Sequence, residues 1–131
     1  MGKPITMIES IGPAMKDKLS ASVEGLLEKG ASKAGRKAIA DASGLDESKI
    51  LVWVNMADLF RINGVASQFA ELLKAAGVDT VKELRNRNAE NLHAALVKTQ
   101  EEKGLTRVVP AASKVADFVE QAKSLVPLVT Y

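Results

Sequence analysis

Two stretches of this chain repeat one another at a spacing of 54 residues, and the repetition restricts the folds open to it. Ile8-Glu-Ser-Ile-Gly-Pro-Ala-Met-Lys-Asp-Lys-Leu19 aligns with Ile62-Asn-Gly-Val-Ala-Ser-Gln-Phe-Ala-Glu-Leu-Leu73. Ile8 faces Ile62, Ile11 faces Val65, Met15 faces Phe69 and Leu19 faces Leu73. A second pair follows in the same order, "SKILVWVNMA" from Ser48 and "SKVADFVEQA" from Ser113. Ser48, Lys49, Val54 and Ala57 recur as Ser113, Lys114, Val119 and Ala122, while Ile50 pairs with Val115 and Trp53 with Phe118. Two matches in one order indicate a duplicated unit, about 5–59 and 59–125, with a short apolar tail at 126–131.

The repeated unit is helical. Aromatics make up 4% of the chain, and Ala, Leu, Lys and Glu are abundant, which favours helix over strand. With 131 residues, 47% of them hydrophobic, the chain can bury one real core. The fold expected is all-α, with two pseudo-symmetric units packed as one compact helical domain over 1–125. There is no cysteine, so disulfides and thiolate metal sites are excluded. No apolar run approaches the roughly 20 residues of a membrane span, so no membrane partner is expected and a cytoplasmic location is the default.

Local signals place the elements. Asp79 or Thr80 can cap a short helix through Arg87, and Gly77 suits the left-handed position after the helix before it. Asn88 can cap a helix from Ala89 to about Lys103, closed by Gly104, with Leu92, Leu96 and Thr99 as its inward stripe. Pro110 and Gly104 mark a loop. A helix over 113–125 follows, with Val115, Phe118, Val119 and Ala122 inward; Trp53, matched to Phe118, reads as core. The first half departs from this symmetry. Three residues separate Leu19 from Val23, where seven separate Leu73 from Val81. Met15, Leu19, Val23, Leu26 and Leu27 keep helical spacing throughout, so one long helix over about 14–29 is expected.

The pattern apolar–x–Gly–apolar–Gly before a helix resembles the hairpin of a helix-hairpin-helix motif, and two in tandem resemble the DNA-backbone-binding domains of repair and recombination proteins. A resemblance covering nearly the whole chain lies in "GRKAIADASGLDESKILVWVNMADLFRINGV", "LLKAAGVDTVKELRNRNAENLHAALV" and the final "VTY". These strings are similar to the bacterial family called domain of unknown function 4332, which implies a helical fold with helix-hairpin-helix-like units. The wider motif implies a phosphate-contact role. Its physical basis is a glycine at positive φ that turns adjacent N–H groups outward, beside the positive end of a helix. Such a nest holds a phosphate oxygen and ignores base identity.

Here the usual glycine pair is split. The first hairpin has Ser10 and Gly12, with Glu9 beside it; the second has Gly64 and Ala66. Gly64, Val65, Ala66 and Ser67 are the expected phosphate contacts of the second hairpin, with Arg61 and Lys74 as cationic partners. Lys33, Arg36 and Lys37, in "KGASKAGRK", form a basic patch that could extend the footprint. The competing reading is that the glycine only lets two helices approach, with Ile62, Val65, Phe69 and Leu73 as core. Glu90 and His93 have ligand spacing, but His93 is the only histidine, so a di-iron bundle site cannot be built in one chain. There is no Walker or Gly-x-Gly-x-x-Gly pattern. No enzyme, metal or cofactor is expected. The function expected is a binding module for duplex DNA, without sequence preference. The alternative is a protein-interaction or assembly module that binds a protein partner or forms a homodimer, which the net charge of only +2 favours.

Overall fold

The structure is a computed structural model and describes residues 22–65, 67–105 and 109–130. Among these residues the fold is all-α, with seven helices and no strand: α1 (Val23–Gly30), α2 (Lys33–Ser43), α3 (Glu47–Leu59), α4 (Ser67–Ala75), α5 (Val81–Arg85), α6 (Ala89–Lys103) and α7 (Ala112–Ser124). The chain divides into two compact units. One runs to Asp58 and takes in the C-terminal segment from Leu128; the other is Leu59–Pro127. The first repeat stretch, Ile8–Leu19, lies outside the described residues.

In the first unit, Ser22 corrects the expectation of one long helix over 14–29. Its backbone is extended (φ −133°, ψ 155°) and its hydroxyl accepts from the Gly25 amide at 3.0 Å, so α1 starts afresh at Val23. A serine that caps a helix marks its start, even where the apolar spacing runs on upstream in the sequence. Val23, Leu26, Leu27 and Gly30 form the buried face of α1. Only Ala31 and Ser32 separate α1 from α2, and Ser32 caps α2 by accepting from the Gly35 amide at 3.0 Å. The corner is close-packed. A Cβ on Gly30 would lie 2.5 Å from Val54 Cγ2 of α3.

Arg36 locks this corner. It is 3% exposed, and its Nη1 donates to the carbonyls of Gly30 and Ala31, both at 2.9 Å. Its Nη2 donates to the Thr130 carbonyl, and the Thr130 amide returns a bond to the Ala31 carbonyl at 2.8 Å. The C-terminal segment is thereby tied to the first unit. Two of these acceptors lie at the C-terminal end of α1, where the helix dipole favours a cation.

Asp46 opens α3. Its carboxylate accepts from the amide and the hydroxyl of Ser48, at 3.0 and 2.9 Å. The backbone bond from Ser48, then the hydroxyl bond, hold its pKa below the usual carboxylate value. A carboxyl lowered by folding stabilises the folded state above the unfolded pKa and loses that effect as pH falls through the folded value. Asp46→Ala is therefore expected to lower thermal stability at neutral pH, with the gap from wild type closing in acid below the usual carboxylate range. Paired melting curves at neutral and acid pH measure that gap, and a pH-independent gap contradicts the assignment.

In the second unit the local signals are realised, except that α5 ends at Arg85, two residues short of the expected Arg87. α4 ends in a Schellman motif: Gly77 takes φ +94°, Val78 N donates to Leu73 O at 2.8 Å, and Gly77 N to Lys74 O at 3.0 Å. Thr80 and Glu83 form a capping box on α5. The Asn88 side chain accepts from the Asn91 amide at 3.1 Å to start α6, and Gly104 closes it at φ +60°. α7 packs on α5 and α6, and α4 packs on α6. Leu92, Leu96 and Thr99 of α6 are buried, as are Val115, Phe118, Val119 and Ala122 of α7. In α3 the residues matched to these four, Ile50, Trp53, Val54 and Ala57, are buried as well. Each large apolar side chain so buried contributes about 1.5–3 kcal/mol.

Candidate functional site

The bend between α3 and α4 is built by two short backbone closures. Ile62 N donates to Leu59 O at 3.1 Å, and Val65 N to Ile62 O at 3.2 Å. Gly64 takes φ +96°, a conformation that side-chain-bearing residues rarely adopt. It also lies against α7: a Cβ here would be 3.1 Å from Phe118 Cε1 and 3.5 Å from Lys114 Cε. The packing role that the competing reading assigns to this glycine is present. Gly64 makes the turn, and it admits a neighbouring helix. Phe118 continues inward to Phe69 of α4, with ring centroids 6.4 Å apart and tilted by 55°.

The amides of the bend are only partly available. Asn63 is bracketed by one side chain of α7: its N–H donates to Gln121 Oε1 at 2.8 Å, and its carbonyl accepts from Gln121 Nε2 at 3.1 Å. Gln121 is itself steadied by Asp117, at 2.8 Å. The Val65 amide is spent on Ile62, and the Val65 side chain is 3% exposed. Gly64, which is exposed, keeps its N–H unpartnered among the described residues. Of the nest expected from Gly64, Val65, Ala66 and Ser67, the Gly64 amide is the described bend amide without a partner, beside the first turn of α4. Ser10, Gly12, Ala66 and the side chain of Ser67 lie outside the described residues.

The cations are rearranged relative to expectation. Lys74 is exposed in the last turn of α4, seven residues beyond Ser67. At 1.5 Å per residue that is about 10 Å along the helix from the bend. Arg61 is half-buried and already engaged within the fold. Lys114 is the cation that the fold brings to Gly64. The basic patch is also corrected. Lys33 and Lys37 are exposed on α2, but Arg36 is buried and spends its donors on three carbonyls, so it offers nothing to an external phosphate.

Sequence reasoning missed Lys114 and Gln121. Lys114 did stand out as the repeat partner of Lys49, yet that match carries no information about proximity to Gly64. Gln121 meets Asn63 across 58 residues, and nothing local to either one signals the contact.

Among the described residues no helix is long and apolar enough to cross a membrane. Comparison with curated proteins and with solved structures finds no match. The family comparison does: one family's sequence model matches residues 9–125, most of the 131-residue chain. That span contains every described helix, the Gly64 bend and the α7 residues that bracket it, and the chain belongs to the family described as a domain of unknown function (DUF4332).

Proposed function

We propose that the chain is a non-enzymatic binding module whose second unit contacts backbone phosphates of duplex DNA without reading base sequence, through a helix-hairpin-helix-like bend. The observation that supports this reading is the exposed Gly64, at φ +96°, with its N–H unpartnered among the described residues and the Lys114 side chain alongside. An amide, an ammonium and the positive end of α4 converge there, a combination that suits a phosphate oxygen. Lys114, alongside Gly64, takes the cationic role expected of Lys74. A cytoplasmic location, where duplex DNA is met, belongs to the same proposal.

With so few donors the interaction is weak and salt-sensitive. Fluorescence anisotropy with a labelled duplex is expected to give a Kd of about 10–100 μM near 50 mM salt, weakening several-fold near 200 mM as counterions are released. Lys114→Glu is expected to reduce the salt slope by about one, the change for one lost phosphate contact. No binding at about 100 μM in the lower salt ends the proposal. The competing reading, an assembly module, is favoured by Val126 and Leu128, which are 69% and 43% exposed. Self-association of the full chain without duplex binding is the outcome that selects it.

A further inference from the structure

α7 shows two different faces to its surroundings. Lys114, Phe118 and Gln121 meet the Gly64 bend. Ala116, Val119, Glu120 and Lys123 instead form one wall of an open cleft of about 530 Å³, whose opposite wall is the turn between α5 and α6. That turn supplies Arg85 and Arg87. Both are half-buried, and neither guanidinium has a hydrogen bond or ion pair among the described residues. A guanidinium drawn against a surface without an acceptor loses hydration and gains nothing for it, so two together at one cleft form an incomplete arrangement.

The groups around them are already committed. Asn86 N and Arg87 N donate to Glu83 O and Leu84 O, and Asn86 Nδ2 donates to Lys82 O at 2.9 Å. The Asn88 carboxamide oxygen caps α6. Lys123 holds Glu120 at 3.0 Å, an exposed pair of small energetic value. The cleft therefore has three cations against the single carboxylate of Glu120, with Glu90 nearby in the first turn of α6. Between these polar groups the half-buried Ala116 adds a small apolar edge, with Val119 buried beneath it.

We propose that this cleft binds a small phosphomonoester, with Arg85 and Arg87 donating to the phosphate oxygens, Lys123 turning from Glu120 to the phosphate, and Ala116 meeting the apolar part of the ester. A planar guanidinium presents paired donors that suit a phosphate dianion, and the apolar edge at Ala116 favours an ester over bare phosphate. This site is separate from the Gly64 bend and does not depend on the duplex reading.

The test uses the full chain with phenyl phosphate and inorganic phosphate as probes, followed by amide and guanidinium NMR signals at constant ionic strength. Saturable shifts are expected at the Ala89 and Glu90 amides and at the Arg85 and Arg87 side chains, with phenyl phosphate binding tighter than inorganic phosphate. The double variant R85Q/R87Q is expected to weaken phenyl phosphate at least about tenfold, the equivalent of 1.4 kcal/mol, with an unchanged melting temperature. Shifts that sodium chloride reproduces, shifts that do not saturate, or an unaltered affinity in the double variant overturn the proposal. A duplex that moves these signals where phenyl phosphate does not also overturns it, since the phosphate source is then nucleic acid. Lys114→Glu separates the two sites: it is expected to weaken duplex binding and to leave phenyl phosphate binding intact.

Discussion

Arg36→Met is expected to destabilise the protein by on the order of 3 kcal/mol, the cost typical of stripping the donor from several buried acceptors at once. Methionine keeps most of the aliphatic stem and the volume, so the change isolates the guanidinium. What is lost is the donor to Gly30 O, Ala31 O and Thr130 O. Ala31 O keeps the Thr130 amide at 2.8 Å, but Gly30 O is left inside the α1–α2 corner with no replacement donor. For a chain of this size the loss corresponds to roughly 10 °C in Tm. The Thr130 amide is expected to exchange with solvent faster than the rest of the first unit, because that bond depends on a segment that Arg36 holds down. Arg36→Lys is expected to be intermediate: one ammonium can replace part of the donor set, but it lacks the planar fork that spans two segments. A Tm within about 2 °C of wild type for Arg36→Met shows that the three carbonyls have no real dependence on it.

That expectation reverses the role of the most basic stretch in the chain. "KGASKAGRK" carries four cations and no acid, which reads as a solvated, partner-facing run. In the fold, Lys33 and Lys37 do face solvent, whereas Arg36 is turned inward by the closeness of α1 and α2. The surface charge available for steering a polyanion is therefore smaller around α2 than the stretch suggests. Arg85 and Arg87, whose guanidiniums have no partner among the described residues, lie in a segment that also carries Lys82 and Glu83 and reads as an ordinary mixed face.

The same contrast explains what was legible in advance. The start of α5, the bounds of α6, the cap at Asn88 and the turns at Gly77 and Gly104 rest on chemistry within four or five residues, and such chemistry is written locally. The buried stripe Val115, Phe118, Val119 and Ala122 follows from helical spacing alone. Failure begins where a residue chooses between two sufficient local options. Ser22 can continue a helix or cap one, and the apolar spacing of Val23, Leu26 and Leu27 fits both; the extended backbone at Ser22 shows that capping wins. It fails altogether where the partner is distant. Arg36 meets Thr130 across 94 residues, and Gln121 meets Asn63 across 58. The bend of the candidate site was readable from Gly64, but the side chains that occupy or flank it were not.

Gly35→Ala sets two physical effects against each other, and their sizes decide the outcome. Gly35 is the third residue of α2, where alanine is favoured over glycine by about 1 kcal/mol on helix propensity alone. A Cβ at this position, however, falls well inside 3.0 Å of the Lys29 carbonyl oxygen, and it also meets Ser32 Oγ at 3.2 Å. The obstacle is backbone, not the end of a flexible side chain, so relief requires α1 and α2 to move apart. Separation at this point stretches the Arg36 bonds to Gly30 and Ala31, which span the same corner. Overpacking of this kind costs typically 1–3 kcal/mol and occasionally more; with the coupled hydrogen bonds added, the net change is expected to be a loss of about 2–4 kcal/mol despite the propensity gain. Gly44→Ala is the internal control. Gly44 has φ +75° and open space around its missing Cβ, so its penalty is confined to backbone strain of about 1 kcal/mol. Urea denaturation of the two variants is expected to rank Gly35→Ala well below Gly44→Ala at equal m-values. Stability for Gly35→Ala equal to or above wild type means that propensity has won, that the two helices do not approach as closely as Lys29 O and Gly35 require, and that the Arg36 lock built on that approach falls with it.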